Sequence, residues 1–496
     1  MEPILRARQS DPARASAIAL GWRAPGAALV IAGALSGCAP VGPDFLRPAA
    51  IVSPQFKEIA GWKIATPRQS EPKGEWWSVF NDPELSRLET AVAISNQTVK
   101  SDEANYREAL ALINEARAGL FPTINGNGSV VRSSPKTTTL TAEASGTWTL
   151  DVWGLVRREI EAQQAGAGVD AANLANALLA AQSALALAYV QLREADALED
   201  LYTKTVEEYK RSLEITQNQY NAGTAAKSDV ITAQAQVLNA QALLIATGVT
   251  RAQSEHAIAV LMGRPPAGLS IAHGALSARV PSIPVRLPSS LLERRPDVAA
   301  AEETMQQANA EIGVAFAGYF PNVSLNGLFG YSGNPFSAAL GPSNPVWSFG
   351  ASLAQPLFNG GLTGAQVEAA RETYTADVAT YRETVLTAIQ QVEDNLSGIR
   401  ILSREAKVQA EDVRISRQAT QIALNEYRAG TQSFTTVVTA EAQQLTAEEN
   451  QLSTQAQIQT DAVNLIVALG GGWSQSKLPD AAADSALPSP APQPSL

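Results

Sequence analysis

The chain has 496 residues and a formal net charge of −11, with 37 Lys and Arg against 48 Asp and Glu. This acidic balance argues against nucleic-acid binding, which requires a basic face. One cysteine excludes an intramolecular disulfide, and two histidines that are seventeen residues apart leave no typical zinc site. The low aromatic content of 6%, together with many alanines, is typical of long, closely packed helices.

The first 37 residues have the pattern of an export signal. A basic leader precedes the apolar run 27–32, which is too short to cross a bilayer and leads to Leu35-Ser36-Gly37-Cys38. Small residues before the single cysteine are typical of a bacterial lipobox; the alternative is a free cysteine in a discarded leader. We therefore predict that Cys38 is the acylated first residue of the mature protein. Ala39 follows it, which by resemblance to lipoprotein sorting favours the outer membrane.

The rest of the chain has no run of 18 consecutive apolar residues, the length that would indicate a membrane span. The sequence therefore predicts no membrane-spanning helix in the mature protein. If the chain crosses a membrane, it must do so as a closed β-barrel, because a barrel also satisfies every backbone polar group in lipid.

The sequence contains a duplicated unit of about 200 residues, since matching segments occur in the same order in both halves. The matches are Phe121-Pro122 with Phe320-Pro321, 220–224 with 427–431, 230–236 with 437–443, and 261–263 with 469–471. We divide the chain into a signal peptide (1–37), an acylated N-terminal segment (38–83), a first repeat (84–280), a second repeat (281–473) and a disordered tail (474–496).

Within each repeat the hydrophobic period changes from that of a helix to that of a strand. Residues 84–119 have helical spacing, and Pro122 ends that predicted helix. Strand-like alternation between an apolar and a small polar face follows in four segments: 124–130, 140–150, 323–331 and 347–353.

This alternation fits either a soluble sandwich with one wet face or a transmembrane barrel with a polar lumen. We favour the barrel because the lipobox places the chain at an outer membrane, and Trp148, Trp153 and Trp347 suit interfacial belts. Four strands cannot close a barrel wide enough to conduct a solute, so the barrel must be shared between chains.

Long helices follow the strands in each repeat. No breaker interrupts the run from Leu155 to about Tyr220, and Leu178, Leu185 and Leu192 are seven residues apart. A helix of about 65 residues is about 100 Å long. The alternative is a fibrous coiled coil without a pore, but such a rod has no use for two strand hairpins.

The two Tyr-x-Ala-Gly-Thr segments end these helices. Gly223 and Gly430 are predicted to adopt left-handed caps that reverse the chain, so that a second helix returns. Each repeat is therefore predicted as a strand hairpin, a long helix, a tight turn and a returning helix.

Five motifs in order resemble the outer membrane factor family of TolC-like export ducts, and within it the lipoprotein, NodT-like branch, over residues 38–473. They are Cys38-Ala39-Pro40-Val41-Gly42-Pro43-Asp44-Phe45, Trp76-Trp77-Ser78-Val79-Phe80-Asn81-Asp82-Pro83, Leu291-Leu292-Glu293-Arg294-Arg295-Pro296-Asp297-Val298, the segment 308–315 that leads into Phe320-Pro321, and the paired glycine turns.

The resemblance implies an α+β membrane protein that works as a homotrimer. Four strands per chain would form a shared twelve-stranded transmembrane β-barrel, and the helices a long coiled-coil barrel in the periplasm. It also implies a periplasmic adaptor and an inner-membrane pump, usually of the RND type, as partners. The tip turns would contact the adaptor through Gly223, Thr224, Gly430 and Thr431.

A conduit needs a gate, and the resemblance places it where the helix turns converge. Similar ducts carry carboxylates six and nine residues after the second turn glycine; here those positions hold Thr436 and Thr439. The acid of the first repeat is kept as Asp229, whereas Gln432 replaces its usual basic partner. Asp229 is thus a candidate gate residue, and the equal alternative is a helix-start acid favoured by the helix dipole.

For function we predict the outer membrane exit duct of a tripartite efflux system, a passive conduit for small molecules out of a Gram-negative cell. The alternatives are the duct of a type I protein secretion system and a passive porin-like or purely structural lipoprotein. We predict no enzyme, because two histidines and one acylated cysteine assemble no nucleophilic or metal constellation. We predict no metal, and no cofactor beyond the acyl chains on Cys38.

Overall fold

The structure is a computed structural model, and it describes residues 39–59, 75–134, 137–277, 279, 281, 283, 288–333 and 345–474. The predicted signal peptide, Cys38 and nearly all of the predicted tail lie outside these residues.

Helices dominate the described part of the chain. They are α1 (Pro83–Ser95), α2 (Gln97–Ala118), α3 (Leu155–Asn221), α4 (Lys227–Leu261), α5 (Pro296–Ala317), α6 (Leu362–Arg428) and α7 (Phe434–Ala468), with short 3-10 turns at Trp76–Phe80, Pro266–Gly268 and Pro288–Glu293. The duplication is visible in their lengths, since α2 and α5 have 22 residues each, α3 and α6 have 67 each, and α4 and α7 have 35 each.

The prediction of one helix over residues 84–119 is wrong, because the chain breaks between α1 and α2 at Asn96. Asn96 has an extended backbone (φ −61°, ψ 128°) and its side chain caps α2 by accepting from the Val99 N–H at 3.1 Å. Its amide also donates to the Leu261 carbonyl at 2.8 Å. The break is thus fixed by a contact with the distant end of α4.

The described residues contain four strands: β1 (Thr123–Ser133), β2 (Thr137–Leu150), β3 (Asn322–Gly333) and β4 (Pro345–Ala354). They form one antiparallel sheet in the order β1-β2-β3-β4. Its register pairs apolar residues with apolar residues, such as Trp148 with Leu325 and Phe329 with Trp347, so the predicted alternation is confirmed. Within the described residues β1 and β4 are the two edges of the sheet.

The long helices form two antiparallel hairpins, α3 with α4 and α6 with α7. Because α3 also packs against α7, the four helices lie side by side in the order α4-α3-α7-α6. We call the turns at Gly223 and Gly430 the tip, and the ends next to the sheet the base. Near the base, α2 and α5 pack on α3, and α5 also packs on α6.

The N-terminal residues 39–59 run along this helical layer. The Val41 N–H donates to the Trp153 carbonyl at 3.0 Å, and Arg47 pairs with Glu302 of α5. Further on, the N–H groups of Lys57 and Glu58 donate to the Glu393 carboxylate of α6. The segment therefore ties the two repeats together from the base to the middle of the helices.

In the part of the chain that the structure describes, two helices contain 18-residue windows that are apolar enough, by composition and length alone, to cross a membrane. The window in α3 is 44% buried and that in α4 is 22% buried. Average hydropathy is high here because alanine fills many positions, although no long run is purely apolar. Since α3 is central and α4 is at the edge of the helical layer, the difference in burial follows their places in the protomer.

Candidate functional site at the helical hairpins

The two tip turns have the same geometry. Gly223 and Gly430 are left-handed, with φ +77° and +72°. In each turn the following threonine closes the helix end: Thr224 donates its N–H and its hydroxyl to the Gln219 carbonyl, and Thr431 does the same to Glu426, all at 2.9–3.0 Å. Both threonines are exposed at the tip.

The candidate gate residues lie just behind the tip. Asp229 is half-buried in the first turn of α4, whose N-cap is Ala226 with no side-chain cap, so Ser228 does not cap this helix. Thr436 occupies the equivalent exposed position of α7. The Thr439 hydroxyl donates to the Thr435 carbonyl at 2.9 Å. Asp229 and Thr436 therefore both lie six residues after their tip glycines, and no hydrogen bond joins them in the protomer.

Both outer helices carry exposed aliphatic residues at heptad spacing. We call these rows the α4 stripe and the α6 stripe. Their members are 47% to 77% exposed, although residues at this spacing normally form a helix–helix contact. The α4 stripe is Ile231, Leu238 and Ile245, and the α6 stripe is Ile401, Val408, Ile415 and Ile422.

Residues of α4 and α6 can be paired by the number of residues that separates each from the tip glycine of its own hairpin. We call two residues with the same number a level pair. The level pairs are Ile231 and Ile422 at eight residues, Leu238 and Ile415 at fifteen, Ile245 and Val408 at twenty-two, and Ala252 and Ile401 at twenty-nine. Because α4 leaves the tip and α6 approaches it, the α4 stripe of one copy and the α6 stripe of another can form an antiparallel coiled coil in register. The stripes lie at opposite edges of the protomer, so this contact is heterologous and generates a ring if it closes.

The sheet, like the two outer helices, has apolar surface that one protomer leaves exposed. One of its faces carries hydrogen-bonded polar residues, such as Asn127 with Ser145 at 3.1 Å and Ser324 with Ser352 at 2.6 Å. The other face exposes large apolar side chains, including Trp347 and Phe349. A wall with one polar and one apolar face suits a water-filled lumen inside lipid, provided that the edges β1 and β4 are paired.

Among the described residues, the structure brings together one group of potential metal ligands that sequence analysis missed. Single ligand atoms of Asp196, Glu199 and His273 lie within 4.8 Å of one another. The Asp196 carboxylate, however, already accepts hydrogen bonds from Arg193 at 2.8 Å, from Arg251 at 2.7 Å and from the backbone N–H of Gly274 at 2.9 Å. Gly274 belongs to the segment that connects the two repeats. Asp196 therefore holds this connecting segment on α3. Only the fold could reveal this group, because His273 is far from α3 in the sequence.

Comparison with known proteins places this arrangement in a family. A family model described as outer membrane efflux protein matches residues 90–264 and 287–471, one segment in each repeat. The chain belongs to the outer membrane efflux protein family. The solvent efflux pump outer membrane protein SrpC of Pseudomonas putida is 28% identical over 470 residues, which cover 89% of this chain and 97% of SrpC.

Two further matches extend the comparison. Nodulation protein T of Rhizobium leguminosarum bv. trifolii is 27% identical over 420 residues, or 82% of this chain and 88% of that protein. The structure of the outer-membrane channel OprN is 28% identical, with a TM-score of 0.81, and the match covers 87% of this chain and 99% of OprN. The predicted family resemblance and the TolC-like fold class are therefore confirmed.

Membership settles the broad function and location. The chain is an outer membrane efflux channel of a Gram-negative bacterium whose helices extend into the periplasm. Its family consists of conduits and not of enzymes. The four-stranded sheet and the helical hairpins are then the parts that one chain contributes to this channel.

Proposed function

We propose that three copies of this chain form the exit duct of a tripartite efflux system that carries small molecules. The level pairs of α4 and α6 carry this proposal, because they allow each copy to close on the next without changing either hairpin. Closure would also pair β1 of one copy with β4 of the next, which removes edges that lipid cannot solvate. Three protomers give twelve strands, enough for a water-filled lumen.

The partners follow from the exposed tip. We propose that a periplasmic adaptor contacts Gly223, Thr224, Gly430 and Thr431, and that an inner-membrane pump of the RND type supplies the energy. The exposed threonines and the two equivalent turns support this placement, since they give a trimer six similar contact points at one end. SrpC is named for the efflux of solvents, which supports small apolar molecules as the cargo.

The lipid anchor is part of the proposal. Pro40 lies against Gly154, and the Val41 N–H donates to Trp153, so the residues that follow Cys38 are held at the junction of sheet and helices. Two residues span at most about 7 Å. Acyl chains on Cys38 would therefore enter the leaflet beside the proposed barrel. Replacing Cys38 with Ser should remove palmitate label while the barrel still inserts; persistent label would contradict acylation at this residue.

The efflux function is tested by deleting the gene and measuring susceptibility to solvents and hydrophobic antibiotics. We expect increased susceptibility, rescue by the wild-type gene, and the same increase when the adaptor gene alone is deleted. Loss of an exported protein with unchanged susceptibility would instead indicate a type I secretion duct. Unchanged export after loss of the adaptor would indicate a passive porin-like protein.

A further inference from the structure

The two hairpins of one protomer meet along α3 and α7. We call the tip half of this contact the repeat seam; it contains Thr205, Tyr209 and Ser212 of α3 and Glu441, Gln444 and Glu448 of α7. Ser212 and Glu441 both lie eleven residues from their tip glycines, or about 16 Å at 1.5 Å per residue. A change in this seam moves one hairpin relative to the other close to the tip.

Glu441 is an unusual residue for this position. It is only 6% exposed, its Oε1 accepts a hydrogen bond from the Ser212 hydroxyl, and its buried Oε2 has no hydrogen-bond partner among the described residues. A buried carboxylate with an unmade bond is costly, whereas a protonated carboxyl is tolerated much better. The equivalent residue of the first repeat is Gln234, a neutral residue of the same shape.

The described groups around Glu441 offer no opposite charge to a carboxylate, although the Ser212 hydroxyl and Gln236 favour its ionised form. Glu208 and Tyr209 of α3 face it, and Gln236 is the nearby residue of α4. On its own helix Glu448 lies in the same cavity, and there the Arg417 guanidinium of α6 bonds to Glu448 at 2.6 Å. No basic side chain of the described residues comes within 4.0 Å of the Glu441 carboxyl.

A second carboxylate crosses the same seam in a different setting. Glu449 accepts a hydrogen bond from the Tyr202 hydroxyl at 2.8 Å and is half-buried. It holds the seam in the same way as Glu441, by accepting from a hydroxyl of α3, but it keeps access to water. Glu449 is therefore a matched control for Glu441.

We propose that Glu441 is a proton-sensitive latch of the repeat seam: when protonated it holds α3 and α7 together, and when ionised it loosens them and widens the tip. Burial, with a smaller contribution from Glu208, raises the pKa of Glu441 to about 7, and Ser212 and Gln236 oppose that rise. The closed seam thus binds the proton more tightly than the open seam. Closure is most favourable at low pH and is lost as pH rises through about 7.

The latch deepens the proposed duct function, but its structural readout does not depend on conduction. Hydrogen–deuterium exchange of the trimer should be measured at pH 6 and pH 8 for peptides covering 205–215 and 438–450. The closed seam holds the pKa of Glu441 at about 7; if an open seam admits water and returns it to its ordinary value of 4.5, opening should increase roughly tenfold between these pH values. The wild-type rates are divided by those of Glu441→Gln at the same pH, which removes the intrinsic pH dependence of exchange.

The variants decide between the latch and a merely structural glutamate. Glu441→Gln should stay protected at both pH values, while Glu449→Gln should keep the wild-type pH response. Ser212→Ala, which removes a bond that lowers the pKa of Glu441, should move the transition to higher pH. A flat ratio in the wild type, or a shift to lower pH in Ser212→Ala, would overturn the latch.

Conductance in planar bilayers separates this inference from the function on which it rests. We expect the wild-type channel to conduct more at pH 8 than at pH 6, and Glu441→Gln to remain at the lower level. A pH-dependent exchange ratio without conduction in any variant would remove the duct and keep the latch. Conduction that is equal at both pH values in all variants, with a flat exchange ratio, would remove the latch and keep the duct.

Discussion

The two helical hairpins have the same lengths and the same tip turn, yet their corresponding helices lie in different surroundings. Of 67 residues in each long helix, 26 are buried in α3 and 11 in α6. The returning helices show the reverse, since 7 residues of α4 and 16 of α7 are buried. Duplication therefore copied the helices but not their positions: α3 and α7 form the inside of the protomer, whereas α4 and α6 form its edges. The buried helices hold one protomer together, and the exposed stripes are the surfaces through which we propose that the copies meet.

The substitution with the largest expected effect places a charge in the α4 stripe. Leu238→Glu should abolish the trimer, because each boundary loses about 2 kcal/mol of apolar burial and gains a desolvated charge. A trimer contains three such boundaries. Size-exclusion chromatography with light scattering in detergent measures the loss.

Asn239→Glu is the matched control for that substitution. Asn239 is the next residue of α4 and is exposed, but it lies about 100° around the helix from the stripe. The control should assemble like the wild type. A trimeric Leu238→Glu variant, or an equal effect at both positions, would show that the α4 stripe is not the boundary.

The register of the boundary is tested more sharply by disulfides. Cysteines at Leu238 and Ile415, which form a level pair, should cross-link neighbouring protomers, since a disulfide requires Cα atoms within about 7 Å. Cysteines at Leu238 and Val408 are one heptad out of register, or about 10 Å along the helix, and should cross-link poorly. Denaturing electrophoresis under oxidising conditions distinguishes them; equal yields would contradict the register.

The sequence predicted those features whose signal is local. Alternation marked the strands, unbroken heptads marked α3 and α6, and glycine after Tyr-x-Ala marked the turns. It failed at Asn96, because an asparagine inside a helical pattern ends the helix only when a distant group such as the Leu261 carbonyl holds it. The sequence also did not reveal the burial of Glu441. Glu441 corresponds to Gln234 of the first repeat, and only the packing of α3 on α7 shows that its carboxyl is buried.

Heptad spacing alone also did not distinguish inner from outer rows. Val206 and Leu213 of α3 face other helices of the same protomer, whereas Ile231 and Leu238 of α4, at the same spacing, remain exposed. The order of helices in the layer decides which row is which, and that order depends on contacts between repeats. Which apolar rows are exposed at the edges of the protomer could therefore be found only from the structure.

The tip turns should respond equally to a smaller perturbation. Gly223→Ala and Gly430→Ala each force a Cβ into a left-handed conformation, at a cost of about 1 kcal/mol. Apart from the two adjacent residues, no atom lies within 4 Å of a Cβ built at either position, so we expect a conformational cost and not a steric clash. Hydrogen exchange of the two tip peptides should show similar losses of protection. A much larger loss in one turn would mean that the two hairpins are not equivalent even at their ends.

The smallest expected effect separates the two hypotheses for Asp229. If Asp229 lines the tunnel end, three copies surround one opening, and their charge should make conductance cation-selective and dependent on salt. Asp229→Ala should then weaken selectivity without lowering the yield of trimer, and Thr436→Asp, which supplies the missing acid of the second repeat, should strengthen it. If Asp229 only begins α4, the alanine variant costs a few tenths to about 1 kcal/mol of local stability and leaves selectivity unchanged. Reversal potentials in asymmetric salt measure the difference, and intact trimers with unchanged selectivity in both variants would rule out a gate at this level. Because the second repeat carries Thr436 and Thr439 where similar ducts carry acids, we expect weaker selectivity in the wild type than in the Thr436→Asp variant.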